Sequence, residues 1–549
     1  MPESKPPYPP EFRKQMIDIC YPQTIRSECG AMQTAKWPGC GQDFPAMPTS
    51  AMHVDATFGN SRRPGMHHPE LEATEALRRC FNPNAVGIVG VSSRENNLGH
   101  WILKSLIDGG FRGAIFPVNP NGGNILGLKV VTDLDALPEP VDLGIVAVPG
   151  PAVPEGVSGL GRKGAAGAII IAGGFAEVGP EGRQLQEEVL QAARQSGVRL
   201  FGPNTLGFIH TRSRLNASFS PDMGGSEPGC IGVVSQSGSV CETLYFRCQE
   251  RGIGFSTLIG TGNEADLDLC DYLEYLLLDP DTTVIALYVE QIRRPRRFIQ
   301  LLRDRPDGKP VVMFRTGRTS RGKEAAFSHT GAMAGNDAIM SGLCRQLNVT
   351  EARSYDDLID GAIAFSGGRR PKGPRLAVVT GPGAPGVAAC DSAVEAGLEM
   401  ATLSPETSAQ LARILPPIAS WRNPIDLTGA SATNPELATQ TMEWVLKDPA
   451  VDGVILILGA LSSSQGLDDI IQIAQHQPKP VLAATVASLT KNEENRAIVE
   501  YLGQHCVPCF LSPERAVRAF QLLGDFFLSP CRFDLPRKMG GSHRPEDPR

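Results

Sequence analysis

One histidine in this sequence has the surroundings of a covalent catalyst. His329 lies in the segment FSHTGAMAGND, which precedes a predicted helix. Its small neighbours leave the ring open to a reactant, and an imidazole nitrogen is a competent nucleophile toward a phosphoryl group. The residue alone leaves a second interpretation open, a buried histidine with a structural role.

A carboxylate in an apolar setting is the second candidate for chemistry. Glu290 ends the strongly apolar segment VIALYVE at 284–290, where a carboxylate is costly unless it has a partner. Bonded to one imidazole nitrogen, it would fix the tautomer of the ring and leave the other nitrogen free to attack. The alternative is an ion pair with a nearby arginine, for which the candidates are Arg293, Arg294, Arg296 and Arg297.

The first apolar strand ends in a loop typical of phosphate binding. Gly90 closes the segment AVGIVG, and GVSSRENNLG follows before a predicted helix. Backbone N–H groups at such a helix start attract phosphate, although a tight turn without a ligand has the same pattern. Gly87, Gly90 and Gly99 do not form the dinucleotide motif G-x-G-x-x-G, which disfavours an NAD-dependent enzyme.

Two further glycine-rich loops join a strand to a helix, VSQSGSV at 233–239 and VVTGPGAPGVAAC at 378–390. Small hydroxyl residues and glycine before a helix let N–H groups converge on an anion. Two prolines in the second loop remove donors. Because the loops fall in different predicted domains, we expect each domain to direct one helix N-terminus at the same anion.

The elements that position these residues follow a βαβ pattern. Short β-branched segments alternate with longer amphipathic ones, which predicts parallel strands in doubly wound sheets. The pattern begins near residue 82 and restarts twice, near 230 and 375. The predicted strands are 85–90, 114–119, 143–148, 167–171 and 198–202; then 230–235, 255–260, 284–290 and 310–315; then 375–380, 398–403, 453–458 and 480–485.

Length and composition are those of a soluble multidomain protein. At roughly 150 residues per domain, the 549 residues predict about three to four domains. The net charge of −7 removes the electrostatic drive for nucleic-acid binding. Since the sequence holds neither an apolar run of about 18 residues nor an N-terminal apolar signal, we expect a cytoplasmic protein without membrane association.

Thirteen cysteines are scattered along the chain, several within apolar segments, which disfavours a disulfide framework. The pair Cys506 and Cys509 has redox or zinc spacing, but a second C-x₂-C to complete a zinc site is missing. We interpret the pair as structural and predict no metal site.

A series of motifs extends this interpretation to a family. In order along the chain these are AVGIVGVSS, PVNPNGGNILGLKV, IVAVPGPAVPE, GAIIIAGGFAEVG, GPNTLGFI, SQSGSV, RGIGFSTLIGTGNEAD, VIALYVE, GRTSRGKEAAFSHTGAMAG and LPPIASWRNPIDLTG. Across about 75–525 the sequence resembles the α-subunit of ADP-forming acyl-CoA (acetyl-CoA) synthetases, which are related to succinyl-CoA synthetase.

The resemblance implies a reversible reaction, acyl-CoA + ADP + phosphate ⇌ acid + ATP + CoA, through an acyl phosphate and a phosphohistidine. In this interpretation His329 is phosphorylated and Glu290 orients it. The residues implied to hold the phosphoryl group are Ser237, Gly238, Ser239, Gly383 and Gly386. Those implied to line the CoA site are Gly90, Val91, Ser92, Ser93, Val118, Asn119, Pro120, Asn121, Ala147, Val148 and Pro149.

The implied fold is α/β, with three consecutive doubly wound parallel-sheet domains. We expect a Rossmann-like CoA-binding domain at 75–215, a flavodoxin-like ligase domain with the phosphohistidine loop at 225–366, and a second ligase domain at 373–525. Residues 1–74 are predicted to be an irregular extension and 526–549 a disordered tail.

Two positions depart from the family pattern. Asn121 replaces a lysine that would contact a CoA phosphate, and Arg315 replaces the family's usual lysine before A-G-R-T. The departures question the affinity for CoA and leave the reaction class unchanged.

The nucleotide site is not found in this sequence. It has no P-loop motif and no ATP-grasp segment, so we expect Mg-ATP or Mg-ADP to bind an ATP-grasp β-subunit in an α₂β₂ assembly. A small carboxylic acid and CoA would be the other reactants. A non-catalytic regulatory protein that binds CoA or acyl-CoA is the alternative, and a protein-lysine acetyltransferase scaffold would need an appended domain.

Overall fold

The computed structural model describes residues 69–225, 227–305, 308–330, 336–434, 436–459, 466–489 and 492–528, with backbone alone at 69–72, 326–330 and 432. The predicted N-terminal extension and C-terminal tail therefore lie almost wholly outside the described residues. In the described part of the chain, strands and helices alternate around three main sheets. The predicted α/β class with doubly wound parallel sheets is confirmed.

The first sheet is parallel and is built from residues 85–201. Its elements and the small hairpin β3–β4 are α1 (Pro69–Phe81), β1 (Ala85–Val89), α2 (Leu98–Asp108), β2 (Ala114–Val118), β3 (Asn124–Ile125), β4 (Leu128–Lys129), β5 (Leu143–Val146), α3 (Val153–Arg162), β6 (Gly167–Ile170), α4 (Pro180–Ser196) and β7 (Arg199–Phe201). In the strand order β2-β1-β5-β6-β7, β2 lies on one side of β1 and the later strands lie on the other, so the order reverses at β1. In such sheets ligands bind at the carboxyl end of this reversal, which places the loop after Val89 at the predicted binding edge.

The second sheet has the order β14-β13-β12-β10-β11-β8-β9. Its elements are β8 (Gly207–His210), β9 (Leu215–Ser218), β10 (Pro228–Ser235), α5 (Gly238–Gln249), β11 (Phe255–Gly260), α6 (Leu269–Leu278), β12 (Val284–Val289), α7 (Pro295–Arg303), β13 (Val311–Arg315), α8 (Ser320–Thr330), α9 (Asp337–Gln346), β14 (Thr350–Ala352) and α10 (Tyr355–Ser366). Its order reverses at β10, between β11 and β12. The loops after β10 and β12 therefore leave the sheet side by side.

The hairpin β8–β9 differs from the sequence-based assignment. Residues up to 215 were expected in the first domain, but β8 pairs antiparallel with β11 and extends the second sheet. Strands this short carry too little periodicity to identify the sheet that they join.

The third sheet has the order β16-β15-β18-β19-β20, with β17 also paired to β15. Its elements are β15 (Arg375–Thr380), α11 (Gly383–Glu395), β16 (Glu399–Met400), α12 (Pro405–Ile414), β17 (Ile425–Asp426), α13 (Ala430–Thr433), α14 (Glu436–Lys447), β18 (Gly453–Leu458), α15 (Leu467–His476), β19 (Val481–Thr485), α16 (Glu493–Gln504), β20 (Cys509–Phe510) and α17 (Pro513–Phe527). This sheet also reverses at its first strand, β15.

The three sheet regions share buried contacts. The ring of Phe81 packs 4.7 Å from that of Phe208 and 4.6 Å from that of Tyr275, which joins the first region to the second. The second and third regions meet at a buried carboxylate, Asp360, which accepts hydrogen bonds from Arg251 at 2.6 Å and from Arg515 at 2.6 Å. Among the described residues, no helix combines the length and apolarity that crossing a membrane requires.

Candidate functional site

Three segments predicted to line the CoA site converge on Gly90. This glycine has φ +97°, and a Cβ there would lie 2.7 Å from the Ala147 carbonyl oxygen and 2.8 Å from Val148 Cγ1. The Asn119 amide donates a 2.8 Å hydrogen bond to the carbonyl of Val91, which ties the turn after β2 to the loop after β1. The segments at Gly90, Asn119 and Ala147 thus form a cradle in which their backbones approach one another closely. Glycine is the residue that permits this approach.

The start of α2 is less open to an anion than the sequence indicated. The Asn97 side chain accepts a hydrogen bond from the His100 N–H, so one donor of the first turn is occupied. Gly99 packs against the cradle, since a Cβ there would lie 2.6 Å from the Gly90 carbonyl oxygen. The His100 ring nitrogen Nδ1 lies 3.1 Å from the Ser92 carbonyl oxygen and braces the loop from below.

The outer part of the cradle is exposed, and its predicted residues differ in accessibility. Val91 is buried and Ser92 is partly buried, whereas Ser93, Pro120, Asn121 and Pro149 are exposed. The Asn121 N–H donates to Asn119 Oδ1 at 2.9 Å, and this bond folds the turn back on itself. The floor of this site is thus buried at Val91, and its exposed rim carries the polar side chains of Ser93 and Asn121.

The loop after β10 leaves the N-terminus of α5 uncapped. The Ser235 hydroxyl donates to the Ser237 carbonyl at 2.7 Å and accepts the Ser237 N–H at 3.2 Å, which fixes the loop. In the described part of the chain, no side chain caps the first turn of α5. As far as the described residues extend, the first-turn N–H groups at Gly238, Ser239 and Val240 are therefore open to an anion.

The loop after β15 has the same construction. The Thr380 hydroxyl donates to the Pro382 carbonyl at 2.6 Å, as Ser235 does to Ser237, and α11 likewise begins without a described side-chain cap. It offers fewer donors, because Pro385 in its first turn has no N–H. The similarity of the two loops, which the sequence suggested, extends to this hydroxyl bond.

The start of α11 differs in two ways from the expected phosphate site. Gly386 is the fourth residue of the helix, where the N–H makes the first helical hydrogen bond, and a Cβ there would lie 2.7 Å from Thr380 Cγ2. Asp426 lies beside Gly383, where a Cβ would be 2.7 Å from the carboxylate oxygen Oδ2. Gly386 thus serves close packing, and a carboxylate shares the α11 terminus.

Glu290 lies beside the uncapped helix start, as the strand order requires. It is the first residue after β12, and its N–H donates to the Gln236 side-chain oxygen at 2.6 Å. Three of the four arginines considered as its partners form ion pairs with other carboxylates, which does not leave Glu290 without a partner. These pairs are Arg293 with Glu264, Arg294 with Asp268 and Asp271, and Arg297 with Glu274.

His329 belongs to the last turn of α8 by its backbone, and its side chain lies outside the described residues. His329 lies between Arg315 and Asp337 in the sequence, and ion pairs join the two ends of this segment. Asp337, the first residue of α9, lies 2.7 Å from Arg315 and 3.0 Å from Arg318. The hydrogen bond from Arg318 lowers the pKa of Asp337 below its ordinary value, ahead of the opposing effect of burial. The sequence alone does not reveal this clamp, because Arg315 stands out there only as a replacement for a lysine.

A buried acid that the sequence does not reveal lies beneath the loop after β10. Glu264 is 3% exposed and accepts a hydrogen bond from the Gln236 amide at 2.8 Å. Burial raises the pKa of Glu264 to about 7, against the opposing effects of Gln236 and Arg293. The motif GTGNEAD gave no sign of this, since an acid in a glycine-rich loop is normally solvated.

Comparison with known proteins finds three family models along the chain. Residues 84–211 match the CoA binding domain, 228–365 the succinyl-CoA ligase like flavodoxin domain, and 376–521 the ligase-CoA domain. The α-subunit of ADP-forming acetate–CoA ligase I from Pyrococcus furiosus is 32% identical over 461 residues, covering 82% of this chain and 97% of that subunit. ADP-forming acetate–CoA ligase I of Archaeoglobus fulgidus is 34% identical over 450 residues, but this chain spans only 64% of its length.

A solved structure supports the same relationship. It is the dinucleotide-forming acetyl-coenzyme A synthetase 1 of Ca. Korarchaeum cryptofilum in complex with phosphate and ADP. The match has a TM-score of 0.74 at 33% identity and covers 82% of this chain and 97% of that chain. On the strength of these matches, this chain belongs to the ADP-forming acetate–CoA ligase family and is a subunit of an ADP-forming acyl-CoA synthetase.

Proposed function

We propose that this subunit carries the CoA site and a transiently phosphorylated histidine, His329, of the reaction acyl-CoA + ADP + phosphate ⇌ acid + ATP + CoA. The observation that carries the proposal is the arrangement at the reversal of the second sheet. There the uncapped N-terminus of α5 follows β10, and Glu290 follows the adjacent strand, β12. A helix terminus that attracts phosphate beside a carboxylate able to orient an imidazole is what a phosphohistidine intermediate requires.

The first step uses the cradle in the first domain. The loop at Gly90, the turn at Asn119 and the segment at Ala147 would hold CoA, with its phosphates at the exposed rim. Phosphate attacks the thioester carbonyl, the carbon–sulfur bond breaks, and CoA leaves as the thiol while an acyl phosphate forms. The N–H groups of Gly238 and Ser239 would neutralise the charge on the phosphoryl oxygens during this step.

The second step transfers the phosphoryl group to the histidine. The free imidazole nitrogen of His329 attacks phosphorus, the bond to the acyl oxygen breaks, and the carboxylic acid leaves as its anion. Glu290 would accept the hydrogen bond of the other ring N–H and stabilise the positive charge that develops on the ring. The phosphoryl group then passes to ADP, bound with Mg²⁺ on another subunit, and ATP is released.

Radioactive labelling tests the phosphohistidine. Incubation of the assembled enzyme with acyl-CoA and ³²P-phosphate, without ADP, should label this chain, and the label should be lost in acid and retained in base. We expect no label in His329→Ala. Undiminished acid-labile label in that variant would show that another residue is phosphorylated, and no label in the native chain would favour the regulatory alternative.

Glu290→Gln separates orientation from binding. The amide can still accept a hydrogen bond but carries no charge to stabilise the imidazolium, so labelling should slow by about 10², while CoA binding measured by calorimetry stays unchanged. Normal labelling with weakened CoA binding would contradict this role for Glu290.

A further inference from the structure

Glu264 is a buried acid beneath the loop after β10, next to the candidate phosphate site of the second domain. It follows β11 in the turn formed by 261–265, with φ +53°, and its side chain is 3% exposed. Its oxygen Oε2 makes no well-formed hydrogen bond, and the Arg293 Nε lies 3.6 Å away. A buried carboxyl oxygen whose contact is this long ion pair is costly, and the contacts of the other oxygen, Oε1, show what the side chain holds.

That other oxygen holds Gln236, and Gln236 holds the end of β12. The Gln236 nitrogen Nε2 donates to Glu264 Oε1 at 2.8 Å and to the Gln291 carbonyl at 2.9 Å. Its oxygen Oε1 accepts the N–H groups of Glu290 at 2.6 Å and of Gln291 at 2.9 Å. One side-chain amide thus uses both donors and both lone pairs, and three of its four bonds go to the residues at 290–291.

The turn that carries Glu264 is itself fixed against the first domain. The N–H of Asn263 donates to the Pro203 carbonyl at 2.8 Å, and that of Ala265 to the Gly202 carbonyl at 2.9 Å. The Asn263 side chain also donates to Glu177 in the first domain. Glu264 is therefore held by a rigid turn at the junction of the first two domains and is a firm anchor for Gln236.

We propose that Gln236 and Glu264 form a positioning pair that fixes the backbone at Glu290, so that its carboxylate is held in place for the imidazole of His329. The inference rests on the proposed function, since it gives Glu290 the orienting role argued above. Neither member of the pair needs to touch a reactant. The identity of Gln236 matters because an amide alone offers two donors and two acceptor sites in one plane.

The pair also predicts a pH dependence. Below about pH 7 Glu264 is neutral, and above it the ionised form adds a buried negative charge behind Glu290, where a phosphoryl group is to be bound. The charged and titratable groups around Glu264, from each element packed on it, are Arg293, Arg294, Glu290, Asp268, Asp271, Cys270, Tyr272 and Glu177. Glu264 is the group for which burial raises the pKa to about 7, so the comparison with Glu264→Gln isolates its contribution.

The test compares two substitutions in the assembled enzyme. Glu264→Gln keeps an oxygen for the Gln236 donor and cannot ionise, so phosphorylation of His329 should stay within about twofold of the native rate at pH 6.5. Glu264→Leu removes the acceptor and should slow phosphorylation about tenfold, as loss of one buried hydrogen bond implies. KM for acyl-CoA should not change in either variant. Glu188→Gln, at an exposed site on α4, is the control for loss of a carboxylate.

The pH profile gives a result that a purely structural role would not. In the native enzyme the phosphorylation rate should fall above about pH 7, and in Glu264→Gln this fall should be absent. Gln236→Leu, which removes the bonds to Glu290 and Gln291, should lower the rate at least as much as Glu264→Leu.

Two outcomes would overturn the inference without affecting the proposed function. One is native labelling of His329 with unchanged rates in Glu264→Leu and Gln236→Leu. The other is an alkaline fall that persists in Glu264→Gln. Loss of labelling in the native enzyme would instead contradict the proposed function. Circular dichroism and thermal unfolding of each variant exclude misfolding. If the leucine variants do not fold, the pH profile of Glu264→Gln still tests the inference.

Discussion

At the scale of single residues, the cradle at Gly90 shows how strongly one backbone conformation can decide binding. With φ +97° and the Ala147 carbonyl oxygen only 2.7 Å from where a Cβ would lie, no other residue fits without displacing the loop. Gly90→Ala should weaken CoA binding at least about tenfold, since the strain and the clash together exceed about 1.4 kcal/mol. Calorimetric titration of the full chain measures this.

A matched glycine separates strain from contact. Gly179 has φ +112° in the same domain, but a Cβ there would meet nothing within 4 Å. Gly179→Ala should therefore cost some stability and leave the affinity for CoA within about twofold. Equal loss of affinity in both variants would mean that general destabilisation, and not the cradle, is being measured.

Asn121 offers a change in the opposite direction. It is exposed on the rim of the cradle, at the position where the resemblance to the family implies a lysine. Asn121→Lys should tighten CoA binding by about 1 kcal/mol, the scale of one partly exposed charge-assisted hydrogen bond. The gain should shrink as salt is added, because the contact is screened. An unchanged affinity at low salt would place the CoA phosphates elsewhere.

At the scale of elements, the segment that carries His329 depends on the clamp at its base. Asp337 joins Arg315 at the end of β13 to Arg318, and Arg315 is only 9% exposed. Asp337→Asn should leave these guanidinium groups with a weaker partner and slow phosphorylation of His329 by about three- to tenfold. CoA affinity should not change.

Glu324→Gln is the control for this prediction, since Glu324 pairs with Arg321 on the same helix, α8, at exposed positions. Exposed pairs contribute little, so the phosphorylation rate of Glu324→Gln should stay near that of the native enzyme. An equal effect of both substitutions would show that the clamp has no special role.

The elements also show what a sequence can reveal. The glycine loops, the βαβ order and Glu290 at the end of β12 were predictable, because strand and loop patterns are local properties. The pairing of Gln236 with Glu264 was not, since 28 positions separate them and their contact follows from the order in which strands join the sheet. The carboxylate of Asp426 at the start of α11 escaped notice for the same reason, as β17 joins β15 from far along the chain.

At the scale of the whole molecule, the domains are not independent units. Phe81 and Phe201 of the first domain pack on Phe208, Tyr272 and Tyr275 of the second, and β8 joins the second sheet. A fragment that ends near residue 215 would expose these rings and an unpaired hairpin. Measurements of CoA binding therefore belong on the full chain, where the cradle keeps its support.

The assembly decides where the ATP site lies. The chain matches 97% of the Pyrococcus α-subunit but 64% of the longer Archaeoglobus relative, so part of that relative has no counterpart in the match. We expect the ATP site to lie in such an additional part, carried by an ATP-grasp β-subunit in an α₂β₂ complex. The purified 549-residue chain should then bind CoA and show no ATP-dependent synthesis of acyl-CoA, and co-expression with the partner should restore it. Activity assays and the size-exclusion mass, with and without the partner, measure both points. Full ATP-dependent synthesis by the chain alone would contradict this assembly, because the phosphoryl group would then reach His329 from a nucleotide bound within the same chain.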